Sequence, residues 1–227
     1  MCGRYTLAAD AELIEGRFDV QLMGLPRISR YNVAPTQDVL TIAGQGPRRA
    51  GMMRWGLVPS WTKDISVGNR MINARAETLA KRPAFRTALQ RRRCLVVADG
   101  FYEWASLGNH RIPMRVTLKS GEPFAFAGLW ERWKAPSGED ILSCTIITTG
   151  PNDVMQPVHD RMPVILSEQD HDAWLDPDNP DLDAVRELMG PCPADQLART
   201  AVSSHVNSPR HDDQQCIAEA PTEQELF

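Results

Sequence analysis

Several features that would define common protein classes are missing from this 227-residue sequence. It has no apolar run of about 18 residues, which excludes a transmembrane helix, and its amino-terminus lacks the basic and then apolar pattern of a secretory signal. No CxxC pair occurs, and the odd number of scattered cysteines indicates reduced thiols rather than a disulfide framework or a zinc site. We therefore expect a soluble, cytoplasmic protein. The cysteines are Cys2, Cys94, Cys144, Cys192 and Cys216.

Familiar catalytic and cofactor motifs are also missing. No metal-ligand spacing links the five histidines, and neither a GxSxG nucleophile motif nor a phosphate-binding loop is present. The sequence has no internal repeat, low-complexity tract or Gly/Ser linker, and its 42% hydrophobic and 24% charged content is typical of a globular protein. These observations predict one domain over residues 1–227 that needs neither metal nor cofactor, with a polar, frayed tail from about residue 208.

Charge is distributed unevenly along the chain, although the net charge is only −4. Nine acids and one arginine lie between Glu168 and Asp195. A basic run precedes them and predicts either local contact with phosphates or a solvated helix surface. Its members are Arg70, Arg75, Lys81, Arg82, Arg86, Arg91, Arg92 and Arg93.

Short β-rich segments bounded by Gly and Pro outnumber the helical patterns. Because the strands occur in clusters without regular βαβ alternation, we expect an α+β fold built on mostly antiparallel sheet. The predicted strands are Asp38–Ala43, Arg93–Ala98, Met114–Leu118, Phe124–Trp130, Leu142–Thr148 and Pro163–Leu166. The predicted helices are Ala8–Phe18 with Leu13, Ile14 and Phe18 on one face, Glu77–Arg92 restarted at Pro83, Ser167–Leu175 capped by Ser167, and Asp181–Met189.

The chain opens with MCGRY, which places a cysteine directly after the methionine. If Met1 is removed, Cys2 carries a free α-amine and a thiol on adjacent carbons, a 1,2-aminothiol that no internal cysteine can supply. Taken alone, this stretch favours an arbitrary second residue over a functional cysteine.

Three further polar residues adjoin apolar segments. Asn73 lies in MINARAET and is compatible with a helix cap or with a buried hydrogen-bonding role. Glu103 ends the apolar stretch in LVVADGFYEW and is expected either to face water or to serve as a proton-transfer group. His159 precedes an apolar strand in PVHDRMPVIL, as a loop histidine or as an acid–base group. Its neighbours Asp160 and Arg161 are compatible with a local ion pair of little energetic value.

Together these segments resemble the SOS-response-associated peptidase (SRAP) family. MCGRY, RYNVAPTQ, RWGLVPSW, MINARAET, ADGFYEW and VHDRMPVIL occur in the family's order, from Cys2 to about Asn207. The resemblance implies a barrel-like core flanked by helices. It also implies a monomeric DNA-damage protein that recognises abasic sites in single-stranded DNA and becomes crosslinked to them through its N-terminal cysteine.

The resemblance assigns roles to the four candidate residues. The Cys2 amine would form a Schiff base with the abasic aldehyde, and its thiol would close a thiazolidine. Glu103 and His159 would transfer protons, and Asn73 would orient the opened sugar with both ends of its amide. The implied DNA contacts are Arg4, Asn32, Pro35, Trp61 and Arg75.

The aromatic contact differs from that of some relatives, which carry two adjacent tryptophans where this chain has Trp61-Thr62. A smaller stacking surface is therefore expected, while Trp55 is assigned to the core. Two other functions stay open at this point. One is a thiol peptidase that uses Cys2 and His159, either on other peptides or only to remove its own Met1. The other is a passive single-strand-binding module.

Overall fold

A computed structural model describes residues 2–26, 29–44, 47–108, 110–179 and 181–220. These residues form two sheets with four short α-helices, so the predicted α+β class is confirmed. Nearly all strand pairs are antiparallel. None of the helices in these ranges has the length and apolar character needed to cross a membrane.

The elements follow one another without regular alternation of helix and strand. The strands are β1 (Tyr5–Leu7), β2 (Arg30–Val33), β3 (Asp38–Ala43), β4 (Arg49–Trp55), β5 (Asn73–Arg75), β6 (Arg93–Ala98), β7 (Gly100–Leu107), β8 (His110–Leu118), β9 (Phe124–Lys134), β10 (Asp140–Thr149), β11 (Met162–Pro163), β12 (Ile165–Leu166) and β13 (Leu197–Ala201). The α-helices are α1 (Ala11–Phe18), α2 (Pro83–Arg91), α3 (His171–Leu175) and α4 (Leu182–Glu187). Short 3₁₀ helices cover Ile65–Arg70, Ala76–Lys81, Glu168–Asp170, Ala194–Gln196, Ser204–Asn207 and Gln214–Ile217.

Five strands close into a barrel, as the barrel-like expectation requires. Strands β4, β3, β6, β9 and β10 pair in that order, and β10 returns to pair with β4 in parallel, with Cys144 opposite Trp55. Strand β6 is buried at every residue because its apolar sequence, RCLVVA, is covered on both faces. Trp55 is fully buried, which confirms its assignment to the core.

The other sheet is open, with strand order β13-β8-β7-β1-β2. Its strand β1 contacts the barrel through Tyr5, whose ring meets Trp55 edge-on at 5.4 Å and Phe126 at 5.8 Å between centroids. The barrel and the open sheet therefore share one hydrophobic core, and the amino-terminus of the described chain enters at their junction.

Each of the six predicted segments contains a strand. Strands β3 and β6 match the predicted ranges, and β8, β9 and β10 extend beyond them. The predicted strand Pro163–Leu166 is instead divided between β11 and β12. The sequence analysis missed β1, β2, β4, β5, β7 and β13. These strands are short or mix glycine, arginine and methionine with apolar residues, so their pairing depends on neighbouring strands rather than on local pattern.

The helix predictions hold in position but differ in detail. The restart at Pro83 is confirmed, because a 3₁₀ helix ends at Lys81 and α2 begins at the proline. Leu13 is 45% exposed, so α1 buries only Ile14 and Phe18 of the predicted face.

Ser167 lies at the predicted N-cap position, before the 3₁₀ helix Glu168–Asp170, but its side chain does not cap that helix. Its hydroxyl instead donates to the Asp170 carboxylate at 2.6 Å.

The polar end of the chain is not frayed over its described part. We call residues 203–220 the strap, because they lie across the open sheet. The Asp212 carboxylate accepts hydrogen bonds from the backbone N–H groups of Tyr31 at 2.6 Å and Asn32 at 2.9 Å, and Cys216 is fully buried. Polar contacts fix this segment, so apolar pattern alone could not predict it. The predicted tail from residue 221 onward lies outside the described residues.

Candidate functional site

Cys2 lies just before β1, at the junction between the open sheet and the barrel, and it is fully buried. The Tyr102 backbone N–H donates to the Arg4 carbonyl at 2.9 Å, which sets the pairing of β1 with β7. Continuing this register by one residue places Gly3 opposite Glu103. Met1 lies outside the described residues, so its predicted removal stays a prediction.

The Asp99 carboxylate fixes the position of β1. The Thr6 hydroxyl donates to Asp99 Oδ1 at 2.5 Å, and the backbone N–H groups of Ala8 and Ala9 donate to Oδ2 at 2.6 and 2.9 Å. The next residue is glycine, and a Cβ at Gly100 would lie 2.8 Å from Thr6 Oγ1 and from Arg115 Nε, so a larger residue would displace these side chains. The Asp-Gly pair therefore holds the start of the chain in place.

Asn73 joins the two sheets at Cys2. It begins β5, which pairs in parallel with β10, and its Nδ2 donates to the Cys2 carbonyl oxygen at 2.7 Å. The alternative of a helix cap is therefore wrong. Its Oδ1 is buried and accepts no hydrogen bond from any residue in the described ranges, so one half of the amide is used and the other is an available acceptor.

Glu103 is only 4% exposed, so the alternative that its side chain faces water is wrong. It lies close enough to Cys2 to act on it electrostatically. Burial, and after it the negative charge of Glu103, raises the pKa of the Cys2 thiol well above its usual range. The thiol is therefore protonated at neutral pH. We call Cys2, Asn73 and Glu103 the seam.

His159 lies on the loop that follows β10. Its Nδ1 lies 3.0 Å from the backbone nitrogen of Arg161, from which it accepts a hydrogen bond when neutral. The same Nδ1 lies 2.9 Å from Asp160 Oδ1, to which it donates when protonated. This ring nitrogen therefore has a partner in both protonation states.

Arg161 holds this loop, and the alternative of an ion pair with Asp160 is wrong. Its guanidinium instead binds both carboxylate oxygens of Glu77, at 2.5 and 3.0 Å, and donates to the Thr148 carbonyl at 2.6 Å. Thr148 lies opposite Arg75 in the β10–β5 register. The His159 loop is thereby tied to the end of β5, two residues beyond Asn73.

Arg4 and Asn32, two of the predicted DNA contacts, bind each other. Arg4 Nη1 donates to Asn32 Oδ1 at 2.8 Å and to the Val206 carbonyl at 2.9 Å, and its guanidinium carbon lies 5.8 Å from the Trp104 ring centroid. Asn32 is fully buried, and its Nδ2 donates to carbonyls of the strap. In this arrangement Asn32 orients Arg4 and has no solvent-facing surface of its own.

The other predicted contacts are at the surface. Trp61 is 67% exposed, and Pro35 lies in the turn between β2 and β3. Arg75 is exposed, and its guanidinium forms no hydrogen bond with another described residue, although its carbonyl accepts from the Thr78 hydroxyl at 3.3 Å. The basic run divides into two groups. Arg93 is buried and donates to backbone carbonyls, and Arg92 pairs with Glu131, whereas the remaining members are exposed.

Comparison with known protein families identifies the family of this chain. The family model described as "SOS response associated peptidase (SRAP)" matches residues 1–209. This chain belongs to the SRAP family. The match spans both sheets and the start of the strap, so the resemblance read from the short motifs is confirmed.

The SRAP chain has relatives that match most of its length. It is 47% identical over 222 residues to "Abasic site processing protein YoqW" of Bacillus subtilis, an alignment covering 96% of this chain and 99% of that protein. It is 30% identical over 230 residues to "Abasic site processing protein HMCES" of Gallus gallus, covering 90% and 68%.

Solved structures share the SRAP fold. A crystal structure of a protein from Bacteroides thetaiotaomicron superposes with a TM-score of 0.86 at 24% identity, over 97% of this chain and 100% of that one. A second, from Bordetella bronchiseptica, gives 0.76 at 28% identity, over 89% and 100%.

Sequence reasoning missed the groups that support the SRAP site from the strap. Asn207 Oδ1 accepts from the Trp104 indole at 2.7 Å, beside the contacts of Val206 and Asp212 already described. The partner lies 103 residues away. No local pattern signals such a pair, although the tryptophan in ADGFYEW is a residue type that seeks a hydrogen-bond acceptor when partly buried.

Proposed function

We propose that this SRAP protein captures abasic sites in single-stranded DNA as a covalent thiazolidine on Cys2 after Met1 is removed. The observation that carries the proposal is the Asn73–Cys2 hydrogen bond, which fixes an N-terminal cysteine beside a buried carboxylate. The printed names of the relatives, abasic site processing proteins, support the same substrate.

The protonation state of Cys2 favours attack by the amine. A free α-amine has a reference pKa of about 7.7–8.0, so much of it is neutral near pH 7.5. The thiol, in contrast, stays in its protonated, less nucleophilic form, because burial and Glu103 raise its pKa. A thiol peptidase needs a thiolate, which requires a lowered pKa. The seam therefore supports imine chemistry better than peptide hydrolysis.

The chemistry proceeds in two bond-forming steps. The Cys2 amine attacks C1′ of the open-chain aldehyde, and loss of water leaves an imine. The thiol then adds to the imine carbon: the S–H bond breaks, a C–S bond forms, and the imine nitrogen gains a proton. Both nucleophiles belong to one residue, so the second step is intramolecular and closes a five-membered ring.

The neighbouring side chains have separate tasks in these steps. Glu103 takes the thiol proton, because its carboxylate acts directly on that thiol. The buried Asn73 Oδ1 accepts a hydrogen bond from a sugar hydroxyl, which removes the cost of about 1–3 kcal/mol that an unpaired buried acceptor carries. His159 exchanges protons with the leaving water, since its Nδ1 has a partner in either protonation state.

DNA is held by cations and one aromatic ring around the seam. Arg4, oriented by Asn32, and the exposed Arg75 contact phosphates. Trp61 stacks on a base, and Pro35 lies near the lesion. We propose that a monomer acts in the cytoplasm and at the nucleoid when bound to DNA.

A Cys2→Ala variant separates the two nucleophiles of Cys2. After Met1 removal it keeps an N-terminal amine, so it should form an imine that borohydride traps and should cut the abasic strand by β-elimination. Wild-type protein should give a heat-resistant adduct with little cleavage, because ring closure consumes the imine. Reaction of both proteins with an abasic oligonucleotide, followed on denaturing gels, measures this difference.

The control is Cys192→Ser, which changes a cysteine away from the seam and should behave as wild type. Absence of both imine and cleavage in Cys2→Ala would make the thiol the first nucleophile and would favour the peptidase. Retained DNA affinity without any covalent wild-type product would indicate a passive binding module.

A further inference from the structure

The strap brings together three side chains that the proposed crosslinking chemistry does not use. One ring nitrogen of His205, one carboxylate oxygen of Asp213 and the sulfur of Cys216 all lie within 4.8 Å of one another. Within the described ranges, no other group of His, Cys, Asp or Glu side chains meets this condition. Imidazole nitrogen, carboxylate oxygen and thiolate sulfur are the three donor types that Zn²⁺ uses in proteins.

The separations are close to those of a tetrahedral metal site. His205 Nε2 lies 3.0 Å from Asp213 Oδ2. Nitrogen and oxygen ligands at about 2.0–2.2 Å from one tetrahedral zinc are about 3.3 Å apart, and a sulfur ligand lies about 3.5 Å from either. The His–Asp pair is therefore already near ligand spacing. The Cys216 sulfur lies within 4.8 Å of both partners and donates to the His211 carbonyl at 3.5 Å, so it must turn from that carbonyl to reach ligand distance.

Neighbouring contacts orient two of the three ligands. The His205 ring stacks on His211 at 3.8 Å between centroids and 9° between planes. Asp213 Oδ1 accepts from the Gln215 backbone N–H at 2.9 Å, which points Oδ2 toward His205. Such supporting contacts around a metal ligand fix its orientation before the metal arrives.

We propose that His205, Asp213 and Cys216 bind one Zn²⁺ ion, with water as the fourth ligand. On binding, the S–H bond of Cys216 is replaced by a sulfur–zinc bond and its proton passes to the buffer, without any change of oxidation state. The Asp213 side chain is 54% exposed, which gives the ion a path from solvent.

The sequence analysis predicted no metal site, because the spacing of these three ligands matches no recognised motif. The fold brings them together. Since Val206 follows His205 and its carbonyl accepts from Arg4, a metal that stiffens the strap would also stiffen the position of Arg4.

Titration with Co²⁺ tests the proposal, because cobalt occupies zinc sites. A thiolate–cobalt bond gives a charge-transfer band in the near ultraviolet, whereas a thiolate–zinc bond gives none there. Wild-type protein should show this band at one ion per chain. Zn²⁺ at about a hundred-fold excess over its Kd should raise the thermal midpoint by about 5 °C or more. Cys216→Ser should lose both effects.

Two further variants keep the test decisive. Asp213→Asn retains an acceptor for Gln215, so it should fold normally and bind the metal at least ten-fold more weakly. Cys2→Ala controls for chelation by an N-terminal aminothiol and should keep the band and the midpoint shift, as should Cys192→Ser. Absence of the band in wild type, or its survival in Cys216→Ser or loss in Cys2→Ala, would overturn the site. The proposed function is tested separately, because metal-free wild-type protein should still crosslink to abasic sites whether or not the zinc site exists.

Discussion

The apolar core around the barrel strands and the seam are both buried, yet they are built from different side chains. The barrel strands contribute Trp55, Phe126 and the whole of β6 to this core, with aromatic rings in edge-to-face contact. The seam, at the edge of the same core, holds a thiol, an amide with an unused acceptor and a carboxylate. Burial of apolar surface stabilises the fold, whereas burial of such polar groups costs free energy unless they are paired.

The apolar core therefore determines the stability of the fold, whereas the seam determines its chemistry. The polar side chains of the seam are held by the backbone of β1, β5 and β7, which the barrel and the Asp99 contacts fix in turn. Substitutions in the barrel should therefore affect folding with little effect on the reaction of folded molecules. Substitutions in the seam should have the opposite effect.

The largest effect is expected from Glu103→Gln. This change keeps the size of the side chain but removes the base that takes the thiol proton, so the adduct should form about 10²–10⁴-fold more slowly with little change in thermal midpoint. Single-turnover crosslinking rates measure the effect. The matched control is Glu131→Gln, which alters another buried carboxylate, on β9, and should leave the rate unchanged. Equal slowing in both variants would contradict a specific role for Glu103.

Phe126→Ala tests the barrel side of the comparison. Phe126 is fully buried against Tyr5, Phe101 and Phe124, so its truncation should lower the free energy of unfolding by about 3–5 kcal/mol. Denaturant unfolding measures this loss. Leu107→Ala, at a position 62% exposed, should change stability by less than about 0.5 kcal/mol. A crosslinking rate that falls in Phe126→Ala while the protein is still folded would show that the two regions are not separable.

His171 gives the next effect, a dependence of stability on pH. Burial, then Arg48 and Arg17, lowers its pKa from 6.5 to about 4, against smaller opposite effects of Asp172 and Asp170. The folded state thus favours the neutral ring, which stacks on Phe18. This contribution is complete above about pH 6.5 and is lost as the pH falls toward 4, at most about 3 kcal/mol in all.

His171→Phe should remove this slope between pH 6.5 and 4, as measured by urea unfolding across that range. His110→Gln, at an exposed position, is the control and should keep the slope. A slope that persists in His171→Phe would assign the acid sensitivity to another group.

The smallest effect concerns Arg75, an exposed cation at the edge of the seam. Each phosphate neutralised on a single strand contributes about −0.7 to the slope of log affinity against log salt, so Arg75→Ala should flatten that slope by this amount. Binding to an abasic single strand at several salt concentrations measures it. Arg111→Ala, which removes an exposed arginine from β8, should leave the slope unaltered. An unchanged slope in Arg75→Ala would remove that side chain from the DNA surface.

The same contrast explains what the sequence could predict. Strand β6 and the restart at Pro83 depend on local pattern, and both are where the sequence places them. The family resemblance singled out the seam residues through short motifs, although no spacing rule says that Asn73 meets Cys2 across 71 positions.

The strap could not be predicted, because it consists of polar contacts between residues far apart in sequence. The bond from the Asn32 backbone to Asp212 spans 180 positions, and a run of polar residues after Asn207 has the composition of a frayed tail. The burial of Cys216 and the contacts of Val206 with Arg4 emerge only once the open sheet is assembled.

The most direct test is the intact mass of the purified protein before and after reaction with an abasic single-stranded oligonucleotide. The account predicts a chain lighter by one methionine, which then becomes a heat-stable species whose mass is that of protein plus DNA less one water. The adduct should lie on the N-terminal peptide that begins at Cys2. A protein that keeps Met1 and still forms the stable adduct would contradict the mechanism.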